Sequence, residues 1–324
     1  LGPVAPQLGA KKIVVAGEGA LQYLPFSALA DPLHRAGAES AGGNRQARVT
    51  PLMVNHEIVS LSSASVMGVI RKDMAGRPPP SKMVAVIADP VFEKDDSRVK
   101  AIGGGPRSTG DRPAPIRINR GLSRARRGGG QSFPRLLSAR LEAEAVMSLV
   151  PEGAGIKALD FDASRATATS DEIRQYRIVH FATHGVIDAE HPELSAVVLS
   201  LVDDKGRPQD GFLRLQDIYN LRLSSDLVVL SACDLALGKD IKGEGLVGIT
   251  RGFMYAGAVR VVASLWQVED DATSAMMKKF YEEMLRRGER PSAALRQAQV
   301  YMWNHKQWEE PYYWAGFILQ GEWR

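Results

Sequence analysis

The amino-acid sequence predicts an α/β fold with a central, mostly parallel sheet and helices on both faces. Two near-continuous apolar runs, RIVHFATHG at 177–185 and DLVVLSAC at 226–233, have the pattern of strands that are covered on both sides. Apolar strands and helical segments alternate through most of the chain. With 324 residues and 44% hydrophobic content, the chain has enough apolar material for one continuous core. We therefore expect a single domain over residues 1–324.

The other elements follow from apolar periodicity and from turn residues. A hairpin outside the main sheet is expected where SAVVLSL and GFLRL flank Asp-Asp-Lys-Gly. A helix is expected to begin at ATSDEIRQ. Further strands are predicted at 11–17, 56–63, 83–89, 156–160, 259–266 and 312–321, and further helices at 64–74, 138–150, 246–258, 272–287 and 291–303.

The helix at 138–150 has an apolar stripe that should face the core. Leu141, Ala145, Val146 and Leu149 recur there at helical spacing, and Pro151 ends the helix.

The positive charge of the chain is concentrated in one segment. The net charge is +4, but residues 94–132 alone hold ten Lys or Arg against three acids. This segment is rich in Gly, Pro and Ser and has no aromatic residue that could stack on a base. We therefore expect a flexible basic insertion at about 93–133, with no specific nucleic-acid contact by the domain.

The composition also bears on where in the cell the protein acts and on whether it needs a metal or cofactor. A single cysteine allows neither an internal disulfide nor a Cys-based zinc site, which fits a reducing cytoplasm. No apolar run approaches the roughly 20 residues that a membrane span requires. We expect a cytoplasmic domain that needs no metal or cofactor. Because the chain begins without Met, we expect it to be part of a longer protein with an upstream regulatory domain.

Two residues with nucleophilic chemistry stand at the ends of predicted strands. Cys233 ends one apolar run, and His184 ends another, 49 residues upstream. A lone cysteine is usually a small buried hydrophobe, but an adjacent imidazole can activate it. The carboxyl ends of neighbouring parallel strands share one edge of a sheet, so the two side chains can meet there. His180, inside its strand, is expected to be buried.

A glycine pattern offers a different interpretation. GEGLVG at 243–248 matches G-x-G-x-x-G, which binds a pyrophosphate when its first Gly directly follows a strand. About ten residues separate Cys233 from Gly243, so we interpret the glycines as a loop and a tight helix entry. A nucleotide-binding α/β protein remains the rival prediction, and it would be stabilised by nucleotide.

Several ordered motifs together resemble a known family. HFATHG, LSAC about 50 residues later, GLVGITRGFMYAGAVRVVASLWQVEDDAT and YYWAGFILQG are similar to a CHAT domain, the bacterial branch of the caspase and separase clan of cysteine peptidases. LQYLPFSAL and SARLEAEAV resemble earlier parts of that domain, so the similarity covers nearly the whole chain. The resemblance implies a caspase-like three-layer fold.

The resemblance also implies a mechanism. His184 would be the general base and Cys233 the nucleophile of a Cys-His dyad that cleaves protein substrates through a thioester. The backbone N–H groups of Gly185 and Cys233 would stabilise the oxyanion.

The same resemblance suggests where the substrate side chain binds. In the separase pattern an acid shortly after the strand-ending Trp receives a basic side chain, and here Trp266 is followed by Gln-Val-Glu-Asp-Asp. Asp270 is the first candidate, and Glu269, Asp271 and Asp234 are the others. The acids after Trp266 would equally suit the N-terminus of the helix at 272–287, where negative charge is favourable.

Regulation and activity remain open in the sequence. Members of the family usually follow helical repeats such as TPR units and act as proteases controlled by a partner or another module. If the pocket accepts Arg, then Arg124, Arg126 and Arg127 form a site for self-cleavage. The chain has Ser-Ala-Cys-Asp-Leu where relatives more often have an acid, Thr and Gly after the cysteine, which bears on loop shape. The main rival is a catalytically silent CHAT pseudoprotease that acts as a regulatory binding module.

Overall fold

The structure is a computed structural model of the chain. It describes residues 2–9, 11–33, 49–61, 63–100, 133–188, 191–231, 236–237 and 245–324. Several residues singled out in the sequence lie outside these ranges: Cys233, Asp234, Arg124, Arg126 and Arg127.

Twelve strands occur in the described part. In chain order they are β1 Ile13–Val15, β2 Ile58–Ser60, β3 Lys82–Pro90, β4 Gly155–Asp160, β5 Tyr176–Ala182, β6 Gly185–Asp188, β7 Ala196–Val198, β8 Phe212–Arg214, β9 Leu227–Leu230, β10 Ala236–Leu237, β11 Arg260–Ser264 and β12 Phe317–Gly321.

An eight-stranded sheet forms the centre of this fold. Its order is β1-β2-β12-β11-β9-β5-β3-β4. Only the β11–β12 pair is antiparallel within this sheet, so the strands from β11 to β4 run one way and β12, β2 and β1 run the other. The prediction of a mostly parallel central sheet is confirmed.

Helices cover this sheet. The α-helices of the described part are α1 Ala5–Leu8, α2 Ala64–Met74, α3 Leu137–Met147, α4 Arg165–Ala168, α5 Leu215–Tyr219, α6 Gly245–Tyr255, α7 Asp270–Tyr281 and α8 Pro291–Trp303. A π-helical turn, Glu282–Arg286, extends α7. The helix expected at ATSDEIRQ is a 3₁₀ turn, Asp171–Gln175, because β5 begins directly after it. None of the described helices is long and apolar enough to cross a membrane.

The helices lie on both faces of the sheet, as the alternation of buried residues along its strands demonstrates. On β3, Ala85 and Ile87 join one apolar core, whereas Val84, Val86 and Ala88 join another. The first core also contains residues of α2, α5 and α6, and the second contains residues of α3, α7 and α8. This arrangement follows from the period of two along a strand, and it confirms the three-layer α/β prediction.

The predicted apolar stripe of α3 is displaced in the structure. Leu141 is 61% exposed, whereas Glu142 is only 2% exposed. The face that packs on the sheet and on α7 carries Ala139 and Ala143, and of the predicted stripe it keeps Val146. Small alanines let the helix approach the sheet closely, and Glu142 lies on this buried face because it is one helical turn from both Ala139 and Val146.

A small second sheet lies beside the carboxyl end of β5. Its order is β10-β6-β7-β8, and the antiparallel β7–β8 pair is the hairpin that the sequence predicts. Only Thr183 and His184 separate β5 from β6. The chain therefore crosses from the main sheet to the second sheet at His184.

Candidate active site

The strand that leads to His184 lies beside the strand that leads toward Cys233. β5 and β9 pair in parallel from Ile178 with Leu227 to Phe181 with Leu230. Beyond β9, the backbone N–H of Ser231 donates to the carbonyl of Phe181 at 3.0 Å. Both strands therefore end at the same edge of the sheet. Ser231 is the last residue described before Cys233.

The imidazole of His184 is buried among aromatic rings. Its exposed fraction is 1%. The ring centroid of His184 lies 5.3 Å from that of Phe92 and 5.6 Å from that of Phe133. These two phenylalanines belong to a small apolar cluster together with Val186 and Val198. The packing restricts rotation of the imidazole and excludes water from its faces.

One nitrogen of His184 has a defined role. Its Nε2 lies 2.6 Å from the carbonyl oxygen of Pro134, within hydrogen-bond geometry. A carbonyl can only accept, so Nε2 carries the proton and donates it. In the neutral imidazole the lone pair is then on Nδ1. This is the form that a general base must have.

A cavity of about 280 Å³ opens beside His184. Three carboxylates line it, Glu142, Glu269 and Asp270, and its described lining contains neither lysine nor arginine. Besides His184, the remaining described lining residues carry no charge: Leu136, Ala139, Ala182, Ser231, Gln267, Val268, Thr273 and Tyr312. The charges suit a ligand that carries a cationic side chain.

The acids that follow Trp266 hold two helices together. Asp270 and Asp271 lie in the first turn of α7, but their side chains bond across to α3. Asp270 Oδ2 accepts from the backbone N–H of Ser138 at 2.9 Å, and Asp271 Oδ1 accepts from Ser138 Oγ at 2.5 Å. Asp270 thus satisfies a free amide at the N-terminus of α3. Glu269 is exposed at the N-cap position of α7 and makes no side-chain capping bond there.

Glu142 reaches the cavity from the buried side. Its Oε1 lies 2.8 Å from Nε2 of His180, and Nδ1 of His180 lies 3.0 Å from the hydroxyl of Tyr281. Burial, and then the negative charge of Glu142, raises the pKa of Tyr281 well above its usual range, so the hydroxyl stays protonated. The prediction that His180 is buried is confirmed. The sequence interpretation missed Glu142, although its spacing from Ala139 and Val146 was a usable signal.

The loop after β11 is anchored on the opposite wall. The indole N–H of Trp266 donates to the carbonyl of Tyr312 at 2.9 Å, and the hydroxyl of Ser264 donates to the carbonyl of Trp266 at 2.6 Å. Residues 267–270 follow directly and line the cavity. These two hydrogen bonds hold Trp266 in place, and with it the side of the cavity that carries Glu269 and Asp270.

The backbone of Gly185 has an orientation that bears on its predicted role. Gly185 pairs with Val197, and the flanking bond runs from the N–H of Val198 to the carbonyl of His184 at 2.8 Å. This pattern makes Gly185 and Val197 a non-hydrogen-bonded pair, so the N–H of Gly185 points away from β7. It points toward the side on which β10 lies.

Some of the predicted site lies outside the described residues, namely Cys233, Asp234, Gly243 and the three arginines at 124, 126 and 127. Among the residues that the structure does describe, no group of three or more His, Cys, Asp or Glu is placed to hold a metal ion. The described sheet edge therefore brings together His184, Gly185, Glu269 and Asp270, and it adds Pro134 and Glu142.

Comparison with known proteins identifies relatives of the chain. A family model described as CHAT domain matches residues 1–322. Tetratricopeptide repeat protein 28 of Mus musculus is 39% identical over 109 residues, which is 34% of this chain and 4% of that protein. Its Homo sapiens counterpart is 35% identical over 113 residues, 35% of this chain and 4% of that protein. The chain thus spans only a small part of these relatives.

The chain is also similar to solved structures. A chain of a Saccharomyces cerevisiae separase–securin complex is similar with a TM-score of 0.43 and 9% identity, covering 82% of this chain and 14% of that chain. A second crystal structure of that complex has a TM-score of 0.42 and 11% identity, with the same coverage.

Proposed function

The chain belongs to the CHAT domain family, and we propose that it is a cysteine endopeptidase in which His184 and Cys233 form the catalytic dyad. The observation that carries the proposal is the bond from Nε2 of His184 to the carbonyl of Pro134, made where β5 ends beside β9. In a neutral imidazole that bond puts the lone pair on Nδ1, the nitrogen that we assign to the thiol. Cys233 follows β9 by three residues, which is short enough for the thiol to reach the same edge.

The chemistry then follows from the two groups. Nδ1 of His184 takes the thiol proton as the sulfur attacks the peptide carbonyl, and it returns that proton to the leaving amine. Water hydrolyses the resulting thioester. The N–H of Gly185, which points away from β7, and the N–H of Cys233 are the proposed donors to the oxyanion.

The substrate preference comes from the cavity beside His184. We assign it to the side chain that precedes the scissile bond, and its three carboxylates favour Arg or Lys there. Glu142 is the buried charge and Asp270 the half-buried one. Because solvent and salt screen a buried charge less than a partly exposed one, we assign Glu142 the larger share of the selectivity.

Relatives named for tetratricopeptide repeats support an upstream TPR-type module. We propose that this module controls the domain through a regulatory partner, and that the protein acts in the cytoplasm. Self-cleavage at Arg124, Arg126 or Arg127 is part of the same proposal, because these arginines would suit an acidic pocket. Mass spectrometry of the activated protein should reveal two fragments, and an intact chain after long incubation would remove this part.

A regulatory binding module without activity is the second candidate. The observation in its favour is the burial of the His184 ring, which is only 1% exposed between two phenylalanines. A ring enclosed in this way presents little surface to a substrate. This candidate predicts binding of a protein partner with no turnover.

Fluorogenic peptides test the two candidates together. Wild type and Cys233→Ala are incubated with peptides that carry Arg, Lys, Met or Asp before the scissile bond. We expect wild type to cleave the Arg and Lys peptides and Cys233→Ala to cleave none. Turnover that survives in Cys233→Ala would refute the dyad. Absence of turnover by the longer protein, tested with its upstream module, would favour the binding module.

A further inference from the structure

A buried carboxylate lies at the end of β3, close to the candidate site. Asp89 is 1% exposed, and its backbone is in the left-handed region with φ of 49°, a conformation that Asp tolerates better than most residues. Arg135 forms a bidentate ion pair with Asp89, with Nε 2.8 Å from Oδ1 and Nη2 2.7 Å from Oδ2. Arg140 Nε is 2.7 Å from Oδ2, and Arg98 Nη1 is 3.0 Å from Oδ1. Three guanidinium groups thus converge on one carboxylate.

Two more aspartates complete this cluster, which we call the arginine clamp. Asp160, at the end of β4, pairs with Arg98 at 2.8 Å and also with Arg140. Asp96 pairs with Arg98 at 2.7 Å. The clamp contains Arg98, Arg135, Arg140, Asp89, Asp96 and Asp160. Its charges balance, so the buried carboxylate is compensated.

Arg135 has a second property that the other clamp arginines lack. It directly follows Pro134, whose carbonyl accepts the hydrogen bond from His184. Residues 133–136 belong to neither a helix nor a strand. Within the described part of the chain, residues 133–135 make no backbone–backbone hydrogen bond. The position of Pro134 is therefore set by its neighbours' side chains: Phe133 in the aromatic cluster and Arg135 on Asp89.

We propose that the Arg135–Asp89 ion pair is a positioning device for His184. It holds the Pro134 carbonyl against Nε2, and so keeps the proton on Nε2 and the lone pair on Nδ1. Arg135 acts through Pro134, and its own side chain is not among the described residues that line the cavity. This inference rests on the proposed catalytic function of His184, but the contact chain from Asp89 to His184 stands without it.

Arg140 provides a matched control. It binds the same carboxylate, and its side chain is 30% exposed against 32% for Arg135. It also binds Asp160, so its removal costs more ion pairs. Its backbone is fixed by helix α3, however, and it is not adjacent to Pro134. Loss of Arg140 should therefore weaken the fold without moving the carbonyl.

The experiment compares Arg135→Gln, Arg135→Lys and Arg140→Gln. For the best basic peptide, we expect Arg135→Gln to lower kcat by about 10- to 100-fold with KM within about twofold, since misplacement of a catalytic group costs rate more than binding. Arg135→Lys should recover only part, because an ammonium cannot make the two-point contact. Arg140→Gln should lower Tm more but keep kcat within about threefold.

A second measurement does not depend on activity. In protein labelled with ¹⁵N-histidine, the ring shifts of His184 report which nitrogen is protonated. Wild type and Arg140→Gln should show the Nε2–H tautomer, and Arg135→Gln should show a mixture. If Arg135→Gln leaves the ring shifts unchanged, or if both Gln variants lower kcat in proportion to Tm, the positioning role is refuted. If the longer protein, tested with its upstream module, cleaves no peptide, the catalytic proposal fails while the ring shifts still decide this one.

Discussion

His184 donates its Nε2 proton to the carbonyl of Pro134, a residue 50 positions earlier in the chain, at 2.6 Å. The bond joins the end of β5 to a segment that enters α3. It determines which side of the imidazole is basic, and the proposed dyad uses that side for the thiol. Because the acceptor is a backbone atom, no side-chain substitution at Pro134 removes it directly. Tests must therefore address the imidazole itself or the groups around it.

Replacement of His184 by Gln should abolish most of the activity. An amide keeps a donor for the Pro134 carbonyl but cannot accept the thiol proton, so we expect kcat to fall by about 10²- to 10⁴-fold, the range for loss of a general base. Steady-state hydrolysis of a basic peptide checks this. His191→Gln is the control, because the side chain of His191 is exposed and has no part in the proposed mechanism. Equal losses in the two variants would exclude His184 as the base.

Replacement of Glu142 by Gln should change the substrate specificity of the proposed peptidase. The shape of the side chain is kept while the charge in the cavity is lost. We expect kcat/KM for the Arg peptide to fall about 30-fold, corresponding to about 2 kcal/mol for one partner of a desolvated charge pair, with the Met peptide little affected.

The control for Glu142 is Glu269→Gln, because Glu269 lines the same cavity but is exposed. It should reduce the Arg preference by less than about threefold, since exposed ion pairs contribute about 1 kcal/mol or less. The order of effects is measured from the ratio of kcat/KM for the Arg and Met peptides. A larger effect at Glu269 would place the selectivity at the rim of the cavity.

Much of the fold was predictable because it depends on local patterns. Buried parallel strands are continuous apolar runs, so β5 and β9 could be read directly, and the rule that strand ends share an edge led to His184. Glu142 was missed because the apolar stripe of α3 was placed one residue away, on the exposed Leu141. In a helix that packs through alanines, the larger apolar residues do not mark the buried face.

Other parts of the site have no periodic signal in the sequence. The Pro134 carbonyl is a backbone group, and every residue has one. The Asp89–Arg135 pair joins residues 46 positions apart, on the two sides of the basic segment. Arg98, which was counted in the expected insertion at about 93–133, binds Asp89 and Asp160 instead. The two ion pairs of Arg98 depend on the sheet topology, because the neighbouring strands β3 and β4 bring those two carboxylates together.

Asp96 should give the stability a distinct dependence on acid. Its hydrogen bonds from the Arg98 side chain lower its pKa from 3.8 to about 2. A carboxyl whose pKa is lower in the folded state stabilises the protein at pH values above its ordinary pKa, and this contribution is lost progressively as the pH falls from about 4 through the folded-state pKa of about 2. Asp96→Asn should therefore cost about 1 kcal/mol at pH 7 and only a small part of that near pH 2.

Urea denaturation at several pH values measures this difference. Asp95→Asn is the control, because Asp95 is exposed and makes no ion pair with any residue that the structure describes. Its effect should be within about 0.5 kcal/mol at every pH. A cost of Asp96→Asn that is the same at pH 2 and pH 7 would contradict the assigned pKa shift.

Gly316 should prove essential to the wall of the cavity. A Cβ built on it would lie 2.9 Å from Cε2 of Trp266 and 2.9 Å from Oγ of Ser264, closer than a real Cβ approaches. Trp266 would have to move, and its bond to Tyr312 would be strained or lost. Because Trp266 leads into residues 267–270, Gly316→Ala should cost about 1–3 kcal/mol of stability and raise KM for basic peptides.

Gly248→Ala, within helix α6, is the matched control, because its Cβ would lie at an ordinary 3.7 Å from Leu215 Cδ2. Alanine there should stabilise the protein by about 0.5–1 kcal/mol and leave KM unchanged. Thermal unfolding together with peptide kinetics distinguishes the two substitutions, and an unaltered KM in Gly316→Ala would mean that the Trp266 loop does not shape the substrate pocket.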